Sequence, residues 1–159
     1  MYTNKLWTFV GCSLTVGEGL ELEKNDPNNY TNLIINHFGS AKPNNLATRG
    51  NSNHNIFFTA LNEILFNTPD KIFIQWSMLN RLWVYPGPDS DLSISPSMTN
   101  QDYDYRGLVY SKKELQKLSD SYHILNCDYH HIMTLINYCN ILSEIGKNKT
   151  QIIFINGLL

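Results

Sequence analysis

The sequence predicts a three-layer α/β fold with a doubly wound, mainly parallel sheet, formed as a single domain over residues 1–159. Three observations carry this expectation. Short runs rich in β-formers alternate along the chain with segments whose apolar residues recur at helical spacing, which implies right-handed crossovers between parallel strands covered on both faces. A length of 159 residues falls in the usual span of one domain. No internal repeat or low-complexity tract competes with the scheme. In open sheets of this kind, ligands bind beyond the carboxyl ends of the strands. The segments Gly11–Gly19, Thr48–Asn53 and Trp76–Arg81 follow the first three expected strands and are therefore where chemistry is expected.

Leu6–Val10 is the first expected strand: short, β-rich and stopped by Gly11. Asp26 and Pro27 mark a helix start, with Asp as N-cap and Pro at the first helical position; Leu33, Ile34 and Phe38 form its apolar side and Gly39 closes it. Beyond the breaker Lys42-Pro43, Asn44–Ala47 is expected as a short strand running into the loop Thr48–Gly50. Asn51, Ser52 or Asn53 caps a second helix, in which Ile56, Phe57, Ala60, Leu61, Ile64 and Leu65 keep the helical period until Pro69. Lys71–Trp76 reads as a strand. From about Tyr85 to Tyr110 the chain carries Pro86, Pro88, Pro96, two glycines and many Ser, Asp and Asn residues, which spells turn chemistry without a period and predicts a long loop or lid. Ser111 and Glu114 form a capping box opening a helical stretch to Gly146, with a break near Asn126. Gln151–Ile155 is the clearest buried strand.

An apolar fraction of 42% and a charged fraction of 16% describe a globular chain and argue against disorder. Asparagine is conspicuously frequent. A net charge of −2 and a pI near 6.2 leave no footprint for phosphate backbones or anionic lipid, so neither nucleic acid nor a membrane is an expected partner. No run reaches the roughly 18 uninterrupted apolar residues of a bilayer span. The N-terminal apolar run is too short for a signal peptide. Three cysteines, Cys12, Cys127 and Cys139, are odd in number and widely spaced. They fit neither a disulfide framework nor a zinc knuckle and read as free thiols in a reducing compartment, which makes the cytoplasm the expected location. No metal or cofactor is expected.

Chemistry concentrates in the block Gly11, Cys12, Ser13, Leu14, Thr15, Val16, Gly17. It sets a hydroxyl on the turn leaving the first strand, between glycines that let a substrate approach the backbone. This block resembles the first motif of the SGNH (GDSL-type) hydrolases, Gly-Asp-Ser-Leu/Phe-Thr, in a Gly-Cys-Ser form similar to that of phage and bacterial members. The resemblance implies a flavodoxin-like fold and a serine ester hydrolase acting on an acetylated sugar or another small ester, with Ser13 as nucleophile. Cys12 replaces an aspartate that is not itself the nucleophile. Asn45–Gly50 looks like the second block, whose glycine donates its amide to the oxyanion. By that likeness Gly50 takes the role, and Asn53 adds a side-chain amide. Losing one oxyanion donor costs about 3–4 kcal/mol. The family's third block, Gly-x-Asn-Asp, is absent: Gln75–Arg81 stands in its place, where Ser77, Asn80 and Arg81 lie close enough in sequence to line the same cleft. The likeness covers about the first eighty residues.

The same family uses a histidine base oriented by an acid in an Asp-x-x-His arrangement. That spacing occurs at Asp120 with His123 and at Asp128 with His131, both ahead of the last expected strand, whereas the family carries it behind that strand. Since Leu159 follows the last strand almost directly, the expectation is a C-terminally incomplete domain whose acid and base lie beyond Leu159. Each feature also has a plainer reading. Ser13 caps a turn, and Gly50 and Asn53 are loop and N-cap residues. His123, His130 and His131 are a solvated helix face rather than a metal cluster, for no Cys or carboxylate completes a ligand spacing. Trp76, Trp83 and Tyr85 either wall a sugar site or simply pack. The competing function is a non-catalytic carbohydrate- or small-ligand-binding module that kept the cleft and lost the base. Phosphate-cradling glycine patterns are missing from Gly11–Gly19, which weighs against a nucleotide-binding domain.

Overall fold

The computed structural model describes residues 5–17, 20–38, 41–79, 82–87, 90–94, 103–105, 108–125 and 128–155. In chain order the elements are β1 (Lys5–Val10), α1 (Ser13–Val16), α2 (Tyr30–Phe38), β2 (Ala41–Asn45), α3 (Asn53–Phe66) and β3 (Lys71–Gln75). There follow β4 (Leu82–Gly87), β5 (Ser90–Ile94), β6 (Tyr103–Tyr105), β7 (Leu108–Tyr110), α4 (Lys112–Leu125), α5 (Asp128–Gly146) and β8 (Gln151–Ile155). Four strands make an all-parallel sheet in the order β2-β1-β3-β8. Because successive side chains of a strand point to opposite faces, the sheet has two apolar surfaces to cover. Trp7, Phe9 and Phe73 meet Ile35 of α2 on one face. On the other, Val10, Ile72 and Ile74 meet Ile56, Phe57, Ala60 and Ile64 of α3 and Leu142 of α5. This is the three-layer α/β architecture expected.

The chain steps from β1 outward to β2, then crosses back over β1 to reach β3. That reversal puts a topological switch point between the carboxyl ends of β1 and β3, where two connecting loops diverge and leave a crevice. One polar cluster lies within the α3 layer. Thr8, fully buried in mid-β1, donates to Glu63 Oε1 at 2.8 Å, while the amides of Asn44 and Asn67 donate to the same carboxylate at 2.9 and 2.7 Å.

Several elements differ from expectation, each for a physical reason. The helix expected from Asp26 begins at Tyr30. Asp26 instead accepts the Asn28 amide in a local turn, and Asn29 takes the Thr31 amide and hydroxyl ahead of the helix. Gly39, its expected end, lies outside the described residues. The second strand starts earlier than Asn44 and contains Pro43, opposite Trp7. It is an edge strand, where a missing N–H costs no ladder bond. The expected lid at residues 85–110 contains two antiparallel hairpins, β4–β5 and β6–β7, with a register shift around Pro86 that absorbs the proline. β8 is not deeply buried: it forms the sheet edge, and Phe154 is 37% exposed.

Other expectations match. Ser52 caps α3, accepting the Asn55 amide at 3.3 Å. Ser111 and Glu114 form the capping box, with the carboxylate accepting the Ser111 amide at 2.9 Å and its hydroxyl at 2.6 Å. Those bonds hold the Glu114 carboxyl below its ordinary range. The long helical stretch is seen as α4 up to Leu125 and α5 from Asp128, and the break expected near Asn126 lies outside the described residues. Among the described residues no helix is long and apolar enough to cross a membrane.

Candidate active site

β1 ends at Val10 and the chain folds back on itself at Gly11. A Cβ there would stand 2.2 Å from Thr15 Oγ1 and 3.2 Å from Gln75 Cβ, so only glycine permits the reversal. Cys12 is extended and buried against the α3 layer. Ser13 then opens α1, a single turn that Gly17 closes in the left-handed region at φ 106°, donating its amide to the Ser13 and Leu14 carbonyls. Ser13 is only partly buried, and among the described residues its hydroxyl has no hydrogen-bond partner.

Polar side chains from four other segments fasten this turn. Asn29 donates to the Val16 carbonyl at 2.8 Å, Asn45 to the Thr15 carbonyl at 3.1 Å, and Asn51 to the Gly11 carbonyl at 3.1 Å. The Thr15 hydroxyl accepts from Tyr30 at 3.1 Å and donates to Gln75 at the end of β3. Burial pushes the Tyr30 phenol up to about 12, opposed by its bond to Thr15, which keeps it a neutral donor. An amide side chain carries both donors and an acceptor, so asparagine can satisfy a turn's carbonyls and hold its own backbone at once. Asn45 shows this, accepting the Ala47 amide at 3.1 Å. The abundance of asparagine thus has a structural use around Ser13.

Gly50 belongs to a loop tied to the same turn, since the Thr48 amide also donates to the Gly11 carbonyl at 3.3 Å. Its φ of 72° is left-handed, a Cβ there would meet nothing within 4 Å, and among the described residues its amide has no acceptor. Both features suit a donor facing open space. Asn53 is brought to the same end of the sheet, but its amide is engaged. Its Oδ1 accepts the Ser77 amide at 2.6 Å and its Nδ2 donates to the Ser77 carbonyl at 3.1 Å. The loops after β2 and β3 are therefore clamped together beside the switch point. Ser77 is buried there, whereas Asn80 and Arg81 lie outside the described residues.

The expected acid–base pairs are described only in part. Asp120 is exposed and accepts the Gln116 amide at 2.7 Å on its own helix. The side chains of His123 and Asp128 lie outside the described residues. His131 stands on α5 seven residues before Tyr138, about 10 Å along the helix. Because α5 runs into the start of β8, this places His131 towards the carboxyl end of the sheet, but no described contact joins it to Ser13. His130 is exposed beside it. Among the described residues no group of three or more His, Cys, Asp or Glu side chains is arranged to hold a metal ion.

One histidine at this end had no sequence signal. His54, in the first turn of α3, has its Nδ1 2.8 Å from the Tyr138 hydroxyl and packs edge-on to Phe58. Tyr138 is stacked on Phe57 at 4.2 Å, and burial raises its phenol above the ordinary value. Only the distance to Asn53 in sequence hinted at His54, because its partner is 84 residues away. Trp76 belongs to the core, 4% exposed and stacked with Tyr138 and Phe154, so the packing reading holds for it. The side chains of Trp83 and Tyr85 lie outside the described residues. Cys12 and Cys139 are free thiols, the latter raised by burial against the opposing effect of the Trp76 indole, and Cys127 lies outside the described residues. No protein-family model matches this chain, and no curated protein matches it in sequence.

Proposed function

We propose that the chain is a serine ester hydrolase of the SGNH type, acting in the cytoplasm on small acyl or acetyl esters, including those of sugars. One observation carries the reading. Ser13 presents an unpartnered, partly exposed hydroxyl at the switch point of the sheet, on a turn held by Asn29, Asn45, Asn51 and Thr15. Preorganisation of this kind is what a nucleophile needs and what a turn-capping serine does not. In the proposed reaction Ser13 Oγ attacks the ester carbonyl and passes its proton to a base. The oxyanion that forms is met by the Gly50 amide, and the carbon–oxygen bond to the alcohol breaks as the base returns the proton to the leaving oxygen. Water then releases the acid by the same route. The base is a histidine, and His54, His130 and His131 are described histidines at this end of the sheet.

Hydrolysis of p-nitrophenyl acetate by the wild type and by Ser13→Ala tests the reading. Turnover that Ser13→Ala abolishes supports it; equal rates in both proteins refute it. One observation favours a second reading, a non-catalytic module binding a sugar or another small ligand: no described contact joins a histidine to Ser13. A thermal shift with sugars that Ser13→Ala leaves intact, in a protein without esterase activity, would select that reading.

A further inference from the structure

The Ser77 hydroxyl is a buried polar atom just beyond the carboxyl end of β3 that the site as described leaves unused. Ser77 is 1% exposed, and its Oγ has no hydrogen-bond partner among the described residues. Buried hydroxyls are almost always satisfied, so an orphan beside a crevice is a departure with a cause. The backbone around it is under firm control, since Asn53 grips both the amide and the carbonyl of Ser77, at 2.6 and 3.1 Å. Only rotation about the Cα–Cβ bond is left free.

Sheet register places Ser77 at the same end of the sheet as the turn that carries Ser13. β1 and β3 pair in parallel as Thr8 with Ile72, Phe9 with Phe73 and Val10 with Ile74. The same offset sets Gly11 beside Gln75, and the contact found there, 3.2 Å from a Cβ at Gly11 to Gln75 Cβ, agrees. Past the ends of both strands Ser13 opens α1 and Ser77 lies in the loop after β3, so both stand at the carboxyl ends of adjacent strands. Cys12 and Trp76, the pair between, share one core cluster.

We propose that Ser77 is a further catalytic residue: its hydroxyl turns towards the crevice and donates a hydrogen bond to the carbonyl oxygen of the bound ester, beside the Gly50 amide. Asn53 is then the positioning residue that holds Ser77 in place rather than a donor itself. Because the resting hydroxyl has no partner, its rotation breaks no hydrogen bond. The donor is worth most when negative charge develops on that oxygen, in a setting already stripped of water. This inference rests on the hydrolase reading of Ser13.

The experiment is Ser77→Ala in the full chain, read by p-nitrophenyl acetate kinetics, thermal melting and fluorophosphonate labelling of Ser13 in the wild type as reference. Removing an unsatisfied buried hydroxyl relieves the fold, so melting should stay unchanged or rise by about 2–4 °C. At the same time kcat should fall about a hundredfold with KM nearly constant, because the bond is made in the transition state. A merely structural serine cannot give those opposite signs. Asn53→Ala should lower both kcat and melting temperature. Wild-type kcat in Ser77→Ala, with Ser13 still labelled, overturns the role of Ser77 alone, as does a fall in kcat that comes with a lower melting temperature. An unlabelled wild type overturns the hydrolase reading and this inference with it.

Discussion

The two ends of the switch in strand order are built by different means. Around Ser13 the turn is fastened by polar, directional bonds: Asn29, Asn45, Asn51, Tyr30, Thr15 and Gln75 each place a hydrogen bond on or under the segment from Gly11 to Gly17. Across the sheet, β8 and α5 are held by apolar packing and ring stacking, and Tyr129, Ile132, Met133, Ile136 and Phe154 remain exposed. Apolar burial is strong but non-directional, whereas a satisfied polar network selects one geometry. The chain thus concentrates its directional bonds on the turn that carries Ser13. That contrast, more than the sequence motif, is the reason to place chemistry at Ser13.

Breaking the polar end should have the largest effects. Ser13→Ala should lower esterase turnover at least about a thousandfold while leaving the melting temperature nearly unchanged, as expected for a nucleophile with an unpartnered hydroxyl. Gly11→Ala forces a Cβ into Thr15 Oγ1 and severs the Thr15–Gln75 bond. Asn29→Ala strips the Val16 carbonyl and the Thr31 amide of partners. Each should cost about 3 kcal/mol, or roughly 6–12 °C in a melting curve, and depress activity more than stability loss alone explains. The matching change at the apolar end, Phe154→Ala, should cost only about 1–2 kcal/mol, since that ring is already partly in water, and should leave activity at the wild-type level.

A pH titration sharpens the same contrast. Tyr30 is raised from 10.0 to about 12, mainly by burial, so the folded state holds this proton more tightly than the unfolded chain. Its contribution is complete below pH 10, and stability is lost as pH climbs from about 10 to about 12. Tyr30→Phe should flatten much of that alkaline loss in chemical denaturation, leaving the part due to Tyr138, which burial also raises. At neutral pH the same substitution should cost only about 1 kcal/mol, the worth of one hydrogen bond to Thr15.

The sheet was legible because its strands are short apolar runs whose two faces both need cover, as at Leu6–Val10 and Lys71–Gln75. The turns that carry Ser13 and Gly50 were legible because glycine punctuates both loops. What escaped notice depended on partners distant in sequence. Pro43 is tolerated only because β2 is an edge, a fact of topology. The hairpins between Leu82 and Tyr110 carry too many turn residues for strands this short to register. Asn53 is bound by Ser77, and His54 by Tyr138, through bonds that no local window contains. The single turn at Ser13–Val16 is fixed by tertiary bonds to Asn29 and Asn45 rather than by helix propensity.

An activated nucleophile at Ser13 should react with a phosphonylating reagent. Incubation with a fluorophosphonate probe, followed by intact-mass measurement and peptide mapping, tests it most directly. One probe per chain is expected, on the peptide containing Ser13, and none on Ser13→Ala. A folded wild type that stays unmodified, or that carries the probe on another residue, would contradict it.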